Sequence, residues 1–310
     1  MAILVLGSTG FVGQNITKVF DENNISIVKS SKSLGLDLLS YKSLLDFFAD
    51  TNFDYIINCA AHVGSLNYVS NHAADVIKDN SRMLLNLYEA VSTLQKKPII
   101  INPIANCSYP STSNVFTEEE LWNGPLHRSV MAYGSTRRLL LNIADSFSWQ
   151  HHIRSINLLV PNMYGPFDST DPNKAHALNA LISKFVKAEN ESKKEIEIWG
   201  TGVAIREWLY AEDFAKIVLD IITNSKTIGF SEPINIAQNF GLSVKELVEI
   251  INQKYNNKFT ITWDNTMPDG AAKKVMDDRK FSKVFPNFTF QDFDTGILNT
   301  INFYKKKYPY

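Results

Sequence analysis

Tyr133 and Arg137 stand four residues apart in the run Met131-Ala132-Tyr133-Gly134-Ser135-Thr136-Arg137-Arg138. The run leads into Leu139-Leu140-Leu141-Asn142-Ile143-Ala144, whose apolar pattern predicts a helix. Residues four apart share a helical face, so a phenol and a guanidinium are expected to point the same way, about one turn apart. A cation beside a phenol favours the phenolate, and the Tyr133 pKa is expected to fall below the ordinary ~10. A tyrosine tuned in this way can give or take a proton near neutral pH. Taken alone, the pair is more simply an exposed Arg and a half-buried Tyr on an ordinary helix; the rest of the chain reverses that reading.

The elements that would position such a pair begin at the first residues. Ala2-Ile3-Leu4-Val5-Leu6 is a short run of strand formers, followed by Gly7-Ser8-Thr9-Gly10-Phe11-Val12-Gly13 and a helical pattern of Phe11, Val12, Ile16, Val19 and Phe20. Strand, glycine turn and helix in this order bring backbone N–H groups at a helix N-terminus to a pyrophosphate. A glycine triplet elsewhere would be a plain tight turn; its place between strand and helix points to a dinucleotide. Gly7, Thr9, Gly10, Phe11, Val12 and Gly13 are therefore candidate cofactor contacts. The second strand, Ile25-Ser26-Ile27-Val28, ends in Lys29-Ser30-Ser31-Lys32. An acidic residue there would hold a ribose 2′-OH, whereas lysines and serines suit a 2′-phosphate. The expected cofactor is NADP(H), with Lys29 and Ser30 on the phosphate and Asp37 on the adenine side; the alternative is a polar loop that binds no phosphate.

Asp54–Asn58 is the next strand, and Cys59-Ala60-Ala61-His62-Val63-Gly64-Ser65 after it lets a dinucleotide lie close to backbone at Ala60 and Ala61. A long helix around Ala73–Val91 carries Asn80, and Pro98–Asn102 reads as a buried strand. The loop beyond it, Ile104-Ala105-Asn106-Cys107-Ser108-Tyr109-Pro110, lies where open α/β sheets bind ligands. Ile153–Leu159 is a further strand leading to Val160-Pro161-Asn162-Met163-Tyr164-Gly165-Pro166. Strands alternating with helices predict an α/β fold with a doubly wound parallel sheet. From about Gly165 the loops lengthen and the strands shorten. The expected organisation is a nucleotide-binding domain over 1–164, rejoined by 204–225 and 286–310, and a smaller α/β substrate lobe over 165–203 and 226–285.

Bulk properties narrow the class. The 310 residues are 45% hydrophobic and 20% charged, and 31 basic against 32 acidic residues leave a net charge of −1. Nothing there favours nucleic acid or an anionic membrane. No stretch approaches the ~20 apolar residues of a membrane helix, and no secretory leader is recognisable. Cys59 and Cys107, the only cysteines, make neither a disulfide framework nor a metal site. A cytoplasmic enzyme is expected.

With these residues in place, the chain resembles the extended short-chain dehydrogenase/reductases. Within them it is most similar to the GDP-L-fucose synthase branch, the 3,5-epimerase/4-reductases of GDP-4-keto-6-deoxymannose. The likeness runs along nearly the whole chain. It is carried by the glycine turn, Ala60-Ala61-His62-Val63-Gly64, Cys107-Ser108-Tyr109-Pro110, Pro161–Pro166 and Pro172-Asn173-Lys174-Ala175-His176. Further matches are Trp199-Gly200-Thr201-Gly202 through Arg206-Glu207-Trp208-Leu209 to Asp213, and Pro268–Asp277. The resemblance implies that Tyr133 gives a proton to the C4 oxygen as hydride arrives, and that Cys107 and His176 are the acid/base pair of epimerisation. It places Pro161 and Asn162 near the nicotinamide or sugar, and Arg206, Lys273 and Lys274 at the nucleotide-sugar diphosphate. Asn106, Ser108, Lys184 and Trp199 complete the implied substrate contacts. A GDP-linked hexose or heptose, a role in surface-polysaccharide sugar synthesis and a homodimer follow as expectations. The chemistry is coherent, since a C4 ketone acidifies the hydrogens on C3 and C5. A thiol (~8.5) and an imidazole (~6.5) both titrate near enough to neutrality to move those protons.

Two positions depart from the pattern. Arg137 stands where the family has Lys, and Ala105 where it has the Ser or Thr whose hydroxyl holds the C4 oxygen. Three readings follow: a bifunctional epimerase/reductase with a rearranged donor set; an epimerase alone or a reductase of another keto sugar; and a catalytically weak NADP-binding protein that works through a partner. A carrier would have little use for Cys107 and His176, which favours the first two.

Overall fold

The strand, turn and helix read at the start of the chain open a sheet whose every strand is parallel to its neighbours. In the computed structural model β1 (Ile3–Leu6) passes through the glycine turn into α1 (Phe11–Glu22). There follow β2 (Val28–Ser30), α2 (Tyr41–Phe48), β3 (Tyr55–Asn58), α3 (Leu66–Asn71), α4 (Ala73–Thr93), β4 (Ile99–Ala105), α5 (Met131–His151) and β5 (Ser155–Val160). The second half contributes β6 (Asn162–Tyr164), α6 (Ala177–Asn190), β7 (Glu195–Trp199), β8 (Ile205–Tyr210), α7 (Ala211–Thr223), β9 (Ile234–Asn235) and β10 (Gly241–Ser243). It ends in α8 (Val244–Gln253), β11 (Thr260–Asp264), β12 (Lys273–Lys274), α9 (Arg279–Val284) and α10 (Phe293–Lys307). The structure describes residues 1–113, 115–171, 173–224, 232–267, 269 and 271–310; Pro172, Pro268, Gly270 and the expected lobe boundary at 225/226 lie outside them.

The main sheet has the order β2-β1-β3-β4-β5-β9. Its inner strands are apolar on both faces, as a parallel sheet covered by helices on each side requires. Successive side chains of β1 go to opposite cores. Leu4 and Leu6 pack with Leu44 of α2, Leu84 and Leu87 of α4, and Leu140 of α5. Ile3 and Val5 pack with Ile16 and Phe20 of α1 and Phe214 and Val218 of α7.

Three adjacent strands each bury an asparagine at one level. Asn58 Nδ2 donates to Asn102 Oδ1 (3.2 Å), and Asn102 Nδ2 donates to Asn157 Oδ1 (3.1 Å) and to the Tyr88 hydroxyl (2.9 Å). Asn102 and Asn157 are paired in register across β4 and β5.

The second lobe is built on β8, flanked by β10 and β12 and also paired with β6, with β7 and β11 forming a separate pair. Its core joins α6, α8 and α10 through Phe185, Ile251, Phe259, Ile301 and Tyr304. The apolar stripe of α10, in the segment expected to rejoin the first domain, packs on the second lobe, and only Phe288 and Phe290 before it reach the first core. β8 also belongs to the second sheet, while α7 behind it returns to the first core. Conversely, β9 extends the main sheet and α9 buries Phe281 against it. Among the described residues no helix is long and apolar enough to cross a membrane, and no group of three His, Cys, Asp or Glu could hold a metal ion.

Candidate active site

Gly7 leaves β1 with φ +71°, a left-handed conformation that favours glycine, and accepts the Gly10 N–H at 3.0 Å. A Cβ on Gly13 would lie 2.2 Å from the Gly7 carbonyl oxygen, so α1 starts as close to the strand end as backbone permits. No side chain caps this helix, and its first N–H groups are left for a ligand. The turn and the cavity beside it therefore fit a dinucleotide.

A cavity of about 440 Å³ beside the glycine turn is lined by Gly7, Thr9, Ser30, Ser31, Lys32, Asp37, Ala60, Ala61, His62 and Asp79, among others. Lys29 does not line it. On β2 the side chains alternate, so Ser30 turns inward and Lys29 outward to pair with Asp21 at 3.0 Å. Lys32 is the cation at this cavity, 3.1 Å from Asp37.

A second cavity, of about 930 Å³, runs from Thr9, Gly10, Phe11 and Val12 past Ala60, Ala61 and Pro161 to Tyr133, Arg137, Cys107, Asn106, Asn162, His176, Arg206 and Lys274. It thus gathers residues from both lobes. Tyr133 and Arg137 share a face of α5 as their spacing requires, and the guanidinium carbon lies 4.9 Å from the centre of the Tyr133 ring. The expected lowering of the Tyr133 pKa is corrected here. Burial pushes the phenol above its ordinary value, Arg137 opposes that rise only in part, and Cys107 adds to it. Arg137 is itself buried, and its Nη2 donates to Asn80 Oδ1 at 3.3 Å.

Cys107 sits on the short 3₁₀ turn Asn106–Ser108 that ends β4. Burial raises its thiol pKa, while Lys274 and Arg137 pull it down. Helix α5 reaches this turn because Gly134 has no side chain: a Cβ there would stand 2.5 Å from the Cys107 carbonyl oxygen. His176 is held by Asp168. Its Nδ1 bonds Asp168 Oδ1 at 3.0 Å, and its backbone N–H donates to Asp168 Oδ2 at 2.8 Å. With Nδ1 committed, Nε2 is the ring nitrogen left for proton transfer.

The second-lobe wall follows from strand alternation. Lys274 pairs in register with Arg206 and both line the cavity, whereas Lys273 is exposed and does not. Arg206 donates to the Asp269 carbonyl at 3.1 Å, and Asn162 Nδ2 donates to the Glu207 carbonyl at 3.3 Å. Asn106 lines the cavity, but Ser108 is buried away from it and donates to the Ala105 carbonyl at 3.0 Å. Lys184 and Trp199 lie together outside the cavity, the ammonium 5.9 Å from the indole. Sequence reasoning missed Asp168, which holds His176, and Asn80, which holds Arg137. It also missed Phe303 and Lys307 of α10, which close one side of the cavity.

The description of the NAD dependent epimerase/dehydratase family matches residues 3–237. The chain is 26% identical to GDP-L-fucose synthase 1 of Arabidopsis thaliana over 308 residues, 98% of this chain and 93% of that one. It is 27% identical to GDP-L-colitose synthase of Yersinia pseudotuberculosis over 306 residues, 98% of each. Among solved structures it superposes on a GDP-6-OMe-4-keto-L-xylo-heptose reductase from C. jejuni with a TM-score of 0.88, at 21% identity and covering 99% of this chain and 98% of that one.

Proposed function

The chain belongs to the NAD dependent epimerase/dehydratase family, and we propose that it is an NADP(H)-dependent epimerase/reductase acting on a GDP-linked 4-keto-6-deoxy sugar. The observation that carries this reading is the cavity that joins the glycine turn to Tyr133, Cys107 and His176. The glycine turn, Ala60, Ala61 and Pro161 would hold the dinucleotide, with Ser31 and Lys32 at its 2′-phosphate. Bound there, it supplies a hydride for the C4 carbon. Tyr133, kept protonated by burial, gives its proton to the C4 oxygen. Cys107 and His176 remove a proton from a carbon beside the carbonyl and return one to the opposite face. Arg206 and Lys274 offset the diphosphate charge from the second lobe.

A second reading, epimerisation without reduction, is favoured by two observations: Ala105 carries no hydroxyl, and the Arg137 guanidinium is stacked on the Tyr133 ring. A homodimer belongs to the same proposal, supported by exposed Ile77 and Leu85 on α4 and Trp149 on α5. The test mixes protein, NADPH and GDP-4-keto-6-deoxymannose in deuterated water. Loss of NADPH absorbance together with deuterium at C3 or C5 is the expected result. Deuterium without NADPH loss selects the second reading. Neither signal with any GDP- or dTDP-linked keto sugar overturns both.

A further inference from the structure

We propose that Asn106 is the hydrogen-bond donor to the substrate's carbonyl oxygen, in place of the hydroxyl absent at Ala105. This rests on the reading above and adds a catalytic residue to it. Asn106 occupies the turn at the carboxyl end of β4, next to Cys107, and lines the same cavity as Tyr133. It is only 4% exposed, and its Nδ2 is buried with no hydrogen-bond partner; a half-turn of the side-chain amide brings that N–H to the cavity. A buried amide N–H without a partner is unfavourable, and a ligand oxygen that accepts from it relieves the cost.

Three other side-chain donors near this point are committed. Ser108 Oγ donates to the Ala105 carbonyl, the Tyr109 hydroxyl to Asn235 Oδ1 (2.7 Å), and Asn162 Nδ2 to the Glu207 carbonyl. Arg137 Nε also lacks a partner, but it belongs to the guanidinium stacked on Tyr133. Tyr133 gives its proton away during reduction, so a donor that keeps its own is needed beside it.

Both half-reactions place charge on the same oxygen. In epimerisation the base takes a proton from the carbon beside the carbonyl, the C–H electron pair becomes the C=C bond, and the carbonyl π pair moves to oxygen. The charge returns to carbon when the acid delivers a proton to the other face. In reduction a hydride adds to the carbonyl carbon, the π pair moves to oxygen, and Tyr133 supplies the neutralising proton. An Asn106 N–H stabilises the oxygen in each case and is not consumed.

The test compares wild type with Asn106→Ala, Asn106→Asp and the pair Ala105→Ser with Asn106→Ala. Readouts are deuterium exchange at C3 and C5, NADPH oxidation, and NADPH affinity by fluorescence titration. Loss of one such donor slows turnover by about 100-fold. Asn106→Ala is expected to lower kcat of exchange and of oxidation by that factor, with KM within about threefold and NADPH affinity unchanged. Ala105→Ser is expected to restore about tenfold or more. Asn106→Asp, nearly the same shape, is expected to lose as much as Asn106→Ala, and it carries the test if the alanine variant melts early. The proposal is overturned if either variant keeps more than half of both rates, if only KM rises, or if NADPH affinity falls in step. Wild type that shows neither signal with any keto sugar removes the underlying reaction, and Asn106 then has no oxygen to serve.

Discussion

The Arg137 guanidinium lies over the Tyr133 ring, 4.9 Å from its centre, and one of its nitrogens is held by Asn80. The cation therefore acts on the phenol through the ring face while burial holds the hydroxyl proton on. Tyr133 is an acid at neutral pH, and reduction should be lost only as pH rises through its elevated pKa. Arg137→Met removes the one influence that lowers that pKa, so the alkaline limb of the rate profile should move upward. Tyr133→Phe should cut NADPH oxidation by about 10²- to 10⁴-fold while leaving C3 and C5 exchange in place. The pH dependence of both rates checks the three statements.

Glu207 is fully buried on β8 and accepts the Met276 N–H (2.7 Å) and the Gln238 N–H (2.6 Å). Burial lifts its carboxyl to about 7 against those N–H groups, from an ordinary value of 4.5. The folded protein binds this proton more tightly than the unfolded chain. Its contribution to stability is complete below the unfolded value and lost as pH rises through about 7. The scale is on the order of 3 kcal/mol. Thermal melts at about pH 6 and about pH 8 should show a larger fall in Tm for wild type than for Glu207→Gln, which has no such proton to lose.

Lys32 lines the cavity beside the glycine turn, whereas Lys29 is paired with Asp21 outside it. Lys32→Ala should weaken NADPH binding by about tenfold and leave NADH nearly unaffected, since a charge-assisted contact to the 2′-phosphate is worth roughly 1.5 kcal/mol. Lys29→Ala should change neither by more than about twofold. Fluorescence titration with both cofactors distinguishes the two lysines.

Gly134→Ala sets a methyl group against the Cys107 carbonyl, a backbone atom that cannot rotate aside. The helix bearing Tyr133 must then retreat from the turn bearing Cys107. A stability loss of about 1–3 kcal/mol is expected, with both reaction rates falling together. Denaturant melts and the two rate assays measure it.

The glycine turn and the pairing of Tyr133 with Arg137 were legible because each depends on spacing within a few residues. The choice between Lys29 and Lys32, and between Lys273 and Lys274, was not, because it turns on which way a strand residue faces in its register. Asp168 and Asn80 carried no local signal either: each acts through a partner from a different element, eight and 57 positions away. The Tyr133 pKa was misjudged because spacing reveals the cation but not the burial that outweighs it.

The asparagines of β3, β4 and β5 have a bearing on how the chain reaches its native arrangement. Their strands are brought together from distant parts of the sequence, and a largely aliphatic sheet would accept several alignments almost equally well. Each amide finds its neighbour only when all three strands are correctly aligned. A slip by one residue would strand these amides in a greasy interior, so mispaired intermediates are driven to reopen, and Asn102→Leu should let them persist.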